Sequence, residues 1–240
     1  MIYCIIVSVI STTKGNYMKI IAKIYTPFRE KFGIPRQSGI AEEVTGRIVF
    51  EPEYRNPDAL RGIDGYSHLW LLWHFSEAER EGWSPLVRPP RLGGNKKVGV
   101  FATRSPFRPN NIGLSSVKLV GIEHTRDEGD VLIVAGVDML SGTPILDIKP
   151  YLPYTDIHAD AVGGFADRVL GDNLEVKISE ELLEKIPETD RESILTLLRD
   201  DPRPHYQSDP DRIYGMIYEN TEVKFTVMDN ILTVVDVEYI

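Results

Sequence analysis

The stretch His68-Leu69-Trp70-Leu71-Leu72-Trp73-His74-Phe75 is where the fold is decided. It is almost continuously apolar yet far shorter than the ~18 residues a membrane span needs, so it reads as a β-strand covered on both faces. Working outward, the same strand grammar recurs on either side. Lys19–Tyr25 and Thr45–Phe50 precede it, and Val98–Ala102 follows. Val117, Leu119 and Gly121 then alternate with Lys118 and Val120, Val131–Val137 is apolar and β-branched, and Ile145–Tyr151 is a further candidate. Gly/Pro-rich loops separate these segments and helical periodicity is scarce. The expectation is a mainly β chain built on an antiparallel β-barrel.

The pattern changes after residue 175. Ile178, Leu182 and Ile186 share a helical face. Thr189 and Glu192 have capping-box spacing ahead of Ile194, Leu195, Leu197 and Leu198, and Asp201-Pro202-Arg203-Pro204 ends that helix. Val223, Phe225 and Val227 alternate, Met228-Asp229-Asn230 reads as a turn, and Leu232–Tyr239 alternates again. A small α+β domain over 173–240 is therefore expected behind a barrel over 18–155, with 156–172 as linker. Residues 1–17 contain a short apolar run, Ile2–Ile10, with no basic residue before it, unlike a secretory signal. Met18 reads as the natural start, with 1–17 an extension, and a cytoplasmic location is expected.

At 240 residues, with 42% hydrophobic and 26% charged side chains, the chain can bury a sizeable core. A single cysteine excludes intramolecular disulfides and multi-thiolate zinc clusters. Neither HxxxH nor HExxH spacing occurs, so no metal site is signalled. There is no P-loop, no nucleophile elbow and no GxGxxG after a strand. His68 and His74, embedded in the apolar run, read as core histidines.

The net charge of −9 argues against a polyanionic partner until its distribution is considered. Between Gly82 and Ile122 lie Arg88, Arg91, Lys96, Lys97, Arg104, Arg108 and Lys118 with no acidic residue, which leaves −16 on the rest of the chain. One basic face on an otherwise acidic molecule suits RNA docking. Three constellations could carry chemistry. Gly33–Gly39 holds Arg36 and Gln37 in a turn-rich loop, offering a planar fork and an amide. Val100–Ser115 interleaves arginines, aromatics, asparagines and stiffening prolines, a mixture suited to phosphate contact and base stacking. Asp138–Pro144 places a carboxylate and backbone amides at a strand end, a set able to hold a ribose, a ligand amine or a metal, with Gly142 letting the chain approach closely. Asp147 and Lys149 fall on one side of the following strand.

These segments resemble a known family. Gly33–Gln37, Asp64–Trp70, Val87–Asn95, Gly99–Leu114, Asp138–Tyr154 and the motif Asp200-Asp201-Pro202-Arg203-Pro204-His205-Tyr206 are similar, in order, to the TsaA-like (TrmO) family over residues 18–240. The resemblance implies a non-Rossmann β-barrel methyltransferase, usually a homodimer. It would use S-adenosylmethionine to methylate N6 of threonylcarbamoyladenosine beside the anticodon of threonine tRNA. Carried over, the cofactor contacts are Pro35, Arg36, Gln37, Ser76, Glu77, Arg104, Leu114, Asp138, Met139, Leu140, Ser141 and Gly142; Ser76-Glu77 stands where relatives often have His-Gln. Asp138 and Arg104 are the catalytic candidates, with Glu77 and Asp147 as other carboxylates able to relieve the target N–H of its proton. Arg88, Arg91, Lys96, Lys97 and Arg108 are the RNA-binding candidates. A barrel that binds RNA without catalysis, or a methyltransferase of this fold for a small molecule, are the competing readings.

Overall fold

In the computed structural model, the described residues are 18–89, 92, 95–167, 173–203, 209 and 211–240. The expectations for 1–17, Arg91 and part of the 156–172 linker fall outside them. Among the described residues, twelve strands and three short helices follow in order. The strands are β1 (Ala22–Tyr25), β2 (Thr45–Phe50), β3 (His68–His74), β4 (Leu86–Val87), β5 (Val98–Gly99), β6 (Ile112–Thr125), β7 (Gly129–Ala135), β8 (Thr143–Pro150), β9 (Glu175–Lys177), β10 (Tyr214–Tyr218), β11 (Thr221–Met228) and β12 (Ile231–Tyr239). The helices are α1 (Pro153–Asp156), α2 (Glu180–Glu184) and α3 (Arg191–Arg199).

Six strands close on themselves in the order β1-β2-β7-β6-β3-β8, every neighbour antiparallel. Period-2 alternation explains the closure: Ile24, Ile48, Leu69, Leu71, Val117, Leu132, Val134 and Ile145 are all buried. Closing the ring also pairs the edges that an open sheet would leave exposed. Strand β3 is paired on both sides, by β6 and β8, as its apolar run requires. Long β6 serves two partners, residues 112–118 pairing with β3 and 118–125 with β7. The β4–β5 hairpin stands apart as its own two-stranded sheet.

The second sheet has the order β10-β11-β12-β9, with β9 parallel to β12 and the rest antiparallel. Its hairpin turn falls at Asp229-Asn230, both at positive φ, the geometry a tight two-residue turn demands. Ile186 and the α3 residues Ile194, Leu197 and Leu198 are buried with it. The β1–β2 connection plugs into this sheet. Phe32 stacks on Tyr214 and Phe225, each with ring centroids 6.4 Å away, Phe28 meets Tyr218 edge-on at 6.2 Å, and Glu219 N–H donates to Pro27 O at 3.0 Å.

Four local expectations need revision. Only Val98–Gly99 is extended; Val100–Ala102 winds into a 3-10 turn, because the Val100 carbonyl accepts from both Thr103 N and Thr103 Oγ1. Thr189 does not cap α3: its hydroxyl bonds the Asp190 carboxylate at 2.9 Å, and Asp190 takes the N-cap position. Ile178 precedes α2, which Ser179 caps through Leu182 N at 3.3 Å. Strands β9 and β10 were not foreseen, the first being three residues long and the second broken in its pattern by Gly215.

Gly33 is the residue that lets loop and sheet meet. It sits at φ +86°, and a Cβ there would lie 2.5 Å from Met216 Cγ. Strain and overpacking act together, so Gly33→Ala is expected to destabilise the chain by about 2–4 kcal/mol in urea unfolding. A midpoint equal to that of the parent would show that this contact is not formed.

Candidate functional site

Strand direction decides where the chemistry collects. The registers Tyr25↔Arg47, Thr45↔Ala135, His74↔Ile112 and Ile24↔Thr143 bring the C-terminal ends of β1, β3 and β7 and the N-terminal ends of β2, β6 and β8 to one end of the ring. Three connections emerge there: 26–44, 75–111 and 136–142. They are stitched together. Lys31 Nζ donates to Glu77 O at 3.0 Å, Gly39 N to Gly136 O at 3.0 Å, and Ser141 N to Phe28 O at 2.8 Å. Thr26 Oγ1 donates to Met139 O at 2.9 Å.

Asp138 lies at the centre. Its Oδ1 accepts from Ser115 Oγ at 2.7 Å, and that hydroxyl accepts in turn from Trp73 Nε1 at 3.0 Å. The Ser38 N–H and its own N–H also serve the carboxylate, and the Arg104 guanidinium favours its charged form. Burial outweighs all of these and pushes its pKa up to about 6. Arg104 Nη1 donates to Gln37 Oε1, while Gln37 Nε2 donates to Arg36 O. Residues 36–38, 104 and 138 thus share one cluster, drawn from all three connections.

The other sequence-derived candidates distribute as follows. Pro35 is buried in the first connection, and Arg36 turns its Nη2 toward the carbonyls of Asp201 and Arg203, both at 2.8 Å. Ser76 and Glu77 have exposed side chains on a 3-10 turn after β3. Met139 is buried, while Leu140 and Ser141 are half-buried; Ser141 Oγ accepts from Thr26 N at 3.2 Å. Gly142 has open space around a Cβ position, so close approach of a neighbour is not its reason; φ +84° in the turn is, and its N–H donates to Ile24 O at 2.7 Å. Leu114 projects from the outer face of β6, 56% exposed, opposite in phase to buried Ser115. Asp147, half-buried in mid-strand, pairs with exposed Lys149 at 2.8 Å. Arg88, Lys96 and Lys97 are exposed around the β4–β5 hairpin, whereas Arg108 bends back to Thr103 O at 2.9 Å. His74 is buried, 3.3 Å from Glu79 Oε1, and desolvation lowers its pKa.

Sequence reading overlooked Ser38, Trp73 and Ser115. Ser115 did carry a signal: it is polar in the inward phase of β6, between Gly113 and Val117. Also overlooked were Trp83 and Arg80, which join the aromatics of the 100–115 segment. Trp83 and Phe101 lie 6.1 Å apart, and Arg80 sits 3.8 Å from the centroid of the Phe107 ring. The chemistry available is a partly desolvated proton acceptor, with a cationic fork and an amide beside it.

Comparison with known proteins gives a consistent answer. Residues 23–157 match the family model of the tRNA-methyltransferase O N-terminal domain, and residues 171–240 that of the TrmO C-terminal domain. The tRNA (adenine(37)-N6)-methyltransferase of Escherichia coli (strain K12) is 36% identical over 217 residues, 87% of this chain and 92% of that one. A protein of Pyrococcus abyssi named as a probable S-adenosyl-L-methionine-binding protein is 39% identical over 145 residues, 60% of this chain and 73% of its own. The crystal structure of TrmO from Pseudomonas aeruginosa superimposes with a TM-score of 0.75 at 34% identity, covering 93% of this chain and 99% of that one.

The raised pKa of Asp138 has a consequence for stability. Below about pH 4 the carboxyl is neutral in the folded and unfolded chain alike. As pH rises from there to about 6, only the unfolded chain ionises, so stability falls, and above about 6 the cost is constant at roughly 3 kcal/mol. Asp138→Asn is therefore expected to melt higher than the parent at pH 8, with the gap closing toward pH 4. A gap independent of pH would mean that the carboxylate is not desolvated.

Proposed function

This chain belongs to the tRNA-methyltransferase O family, and from that premise we propose how the loop-bearing end of its ring works on RNA. It is an S-adenosylmethionine-dependent methyltransferase acting at N6 of adenine 37 in tRNA. The proposal is the finer reading: the closed ring is the methyltransferase barrel, the adenosine is threonylcarbamoylated, the tRNA is a threonine tRNA, and the enzyme is a cytoplasmic homodimer. In domain terms, 18–155 carries the chemistry, 156–172 links and 173–240 supports. No helix among the described residues is long and apolar enough to cross a membrane.

The observation that carries this reading is the partly buried, desolvated Asp138 carboxylate, oriented by Ser115 and Trp73 and flanked by Gln37 and Arg104. The donor set fits the cofactor: a carboxylate suits a sulfonium and an ammonium. Bound S-adenosylmethionine supplies a methyl group already activated by its positive sulfur. What remains for the chain is to hold the target and deal with a proton. In a threonylcarbamoyl adenosine, N6 belongs to a urea and its lone pair is delocalised, so N6 attacks well only as its N–H is relieved of the proton. Asp138, ionised at neutral pH and pre-aimed by Ser115, is the acceptor for it. Arg104 stands beside that carboxylate as the fork for an anionic group such as the threonyl carboxylate. Asp147 is tied to Lys149 away from this cluster, and Glu77 is exposed, which leaves Asp138 the better placed of the three.

Exposed Arg88, Lys96 and Lys97 give the anticodon arm its phosphate contacts, with the Trp83–Phe101 pair within the same basic segment. The apolar Leu114 and Val120 on the outer face of β6 offer a strip for a second copy.

Three outcomes are expected. Nucleoside mass spectrometry of threonine tRNA incubated with enzyme and methyl donor should show one methyl gained on threonylcarbamoyladenosine; methylation of the unmodified adenosine alone would overturn the substrate assignment. Asp138→Asn should lower kcat by roughly 10²–10⁴-fold, and the parent's kcat should rise with pH through about 6; full turnover in the variant removes Asp138 as acceptor. Charge reversal at Lys96 and Lys97 should flatten the salt dependence of tRNA binding by about one unit of slope per lost phosphate contact. An unchanged slope places the RNA elsewhere.

A further inference from the structure

We propose that Asp201 and Arg203, in the C-terminal domain, are positioning residues for methyl transfer: they fix Arg36, and through it the Gln37–Arg104 pair beside Asp138. The inference rests on the reading of that cluster as the methyl-transfer site.

The geometry is a chain of directed contacts. Arg36 Nη2 donates to two backbone carbonyls, those of Asp201 and Arg203, each at 2.8 Å. One nitrogen can reach both only if the turn between them holds one shape. That turn is locked by its own side chains. Arg203 Nε donates to Asp201 Oδ1 at 2.8 Å and Arg203 Nη2 to Asp201 Oδ2 at 3.0 Å, a two-pronged ion pair, and Arg203 N–H adds a third bond to Oδ1 at 3.2 Å. Both side chains are largely buried. The lock holds Asp201 at φ +50°, a backbone state that a non-glycine residue keeps only when its surroundings over-determine it. The Arg203 guanidinium lies 5.9 Å from the Tyr214 ring centroid, and that ring stacks on Phe32, four residues before Arg36. The loop is thereby gripped at Phe32 and at Arg36 by the same corner of the C-terminal domain.

Beyond Arg36 the chain continues into the cluster. The Arg36 carbonyl accepts from Gln37 Nε2, which turns Gln37 Oε1 toward Arg104 Nη1, and the next residue, Ser38, presents its N–H to Asp138. A shift of the 201–203 turn therefore reaches Arg104 and Asp138 through two side chains and no solvent gap. Arginine is required at 203 because it uses the planar fork on Asp201; a lysine there keeps the charge and loses the geometry. On this reading Arg36 acts by holding its loop in place rather than by touching the donor.

The test is a double-mutant cycle in the full-length chain, with kcat, KM for S-adenosylmethionine and its dissociation constant measured for Arg36→Met, Arg203→Met and the double variant. Each single change is expected to weaken cofactor binding roughly tenfold and to lower kcat by up to about 100-fold. The double variant should be no worse than the more damaged single, since both break one chain. Independent, multiplying effects, or unchanged cofactor affinity in Arg203→Met, would overturn the proposal. If Arg203→Met does not fold, Arg203→Lys answers the same question: it keeps the charge but not the two-pronged pair with Asp201, so it should reproduce the loss of kcat while melting near the parent temperature, and full activity sinks the idea. Arg104→Ala separates the two levels of inference. If it retains turnover and cofactor affinity, the site assignment itself is wrong; if it loses them while Arg203→Met does not, only the positioning role falls.

Discussion

Closure of the six-stranded ring is the constraint from which the site follows. Once β1 pairs with both β2 and β8, every strand has two partners, and chemistry has nowhere to sit but the loops at the ends. Alternating direction then sorts the connections, so that 26–44, 75–111 and 136–142 share one end although up to about a hundred residues separate them in the chain. A doubly wound sheet collects its loops by parallel strands and a topological switch point. This ring does so by antiparallel register alone, which is why no glycine-rich nucleotide fingerprint is needed.

At that end the chain accepts an energetic cost. A carboxylate is taken out of water and given hydrogen bonds from Ser115, Ser38 and its own N–H, yet desolvation still prevails and leaves its pKa near 6. The Trp73–Ser115 relay limits the loss by keeping the carboxyl hydrogen-bonded in either protonation state. Such a group is costly to folding and poised for proton transfer at neutral pH, as functional sites commonly are.

The C-terminal sheet is less an appendage than a wall. It receives Phe28 and Phe32 from the β1–β2 connection, accommodates Gly33 against Met216, and meets Arg36 with two carbonyls. A loop of nineteen residues between β1 and β2 would otherwise be held only at its two strand ends and by its hydrogen bonds to the other two connections. Its order is bought from the second sheet.

Much of this was legible in the chain itself. Apolar, β-branched runs located most strands of the ring, alternation marked the middle of β6, and alternation also located β11 and β12, because burial on one face leaves a period of two. The collinear motifs pointed to the family and to Arg36, Gln37, Arg104 and Asp138. Local pattern could not supply β9 and β10, too short or interrupted to show periodicity, nor the failure of Thr189 as a cap, which depends on where Asp190 points. Neither could it rank the carboxylates: Asp138, Glu77 and Asp147 are the same functional group until the fold desolvates the first against Ser115, leaves the second exposed and pairs the third with Lys149. The linear order of side chains determined which strands form and which residues are chemically equipped. The tertiary structure alone decided which of them lose water and which face one another, because desolvation and hydrogen-bond direction are set by neighbours more than 60 residues away in sequence, as Gln37 and Arg104 are.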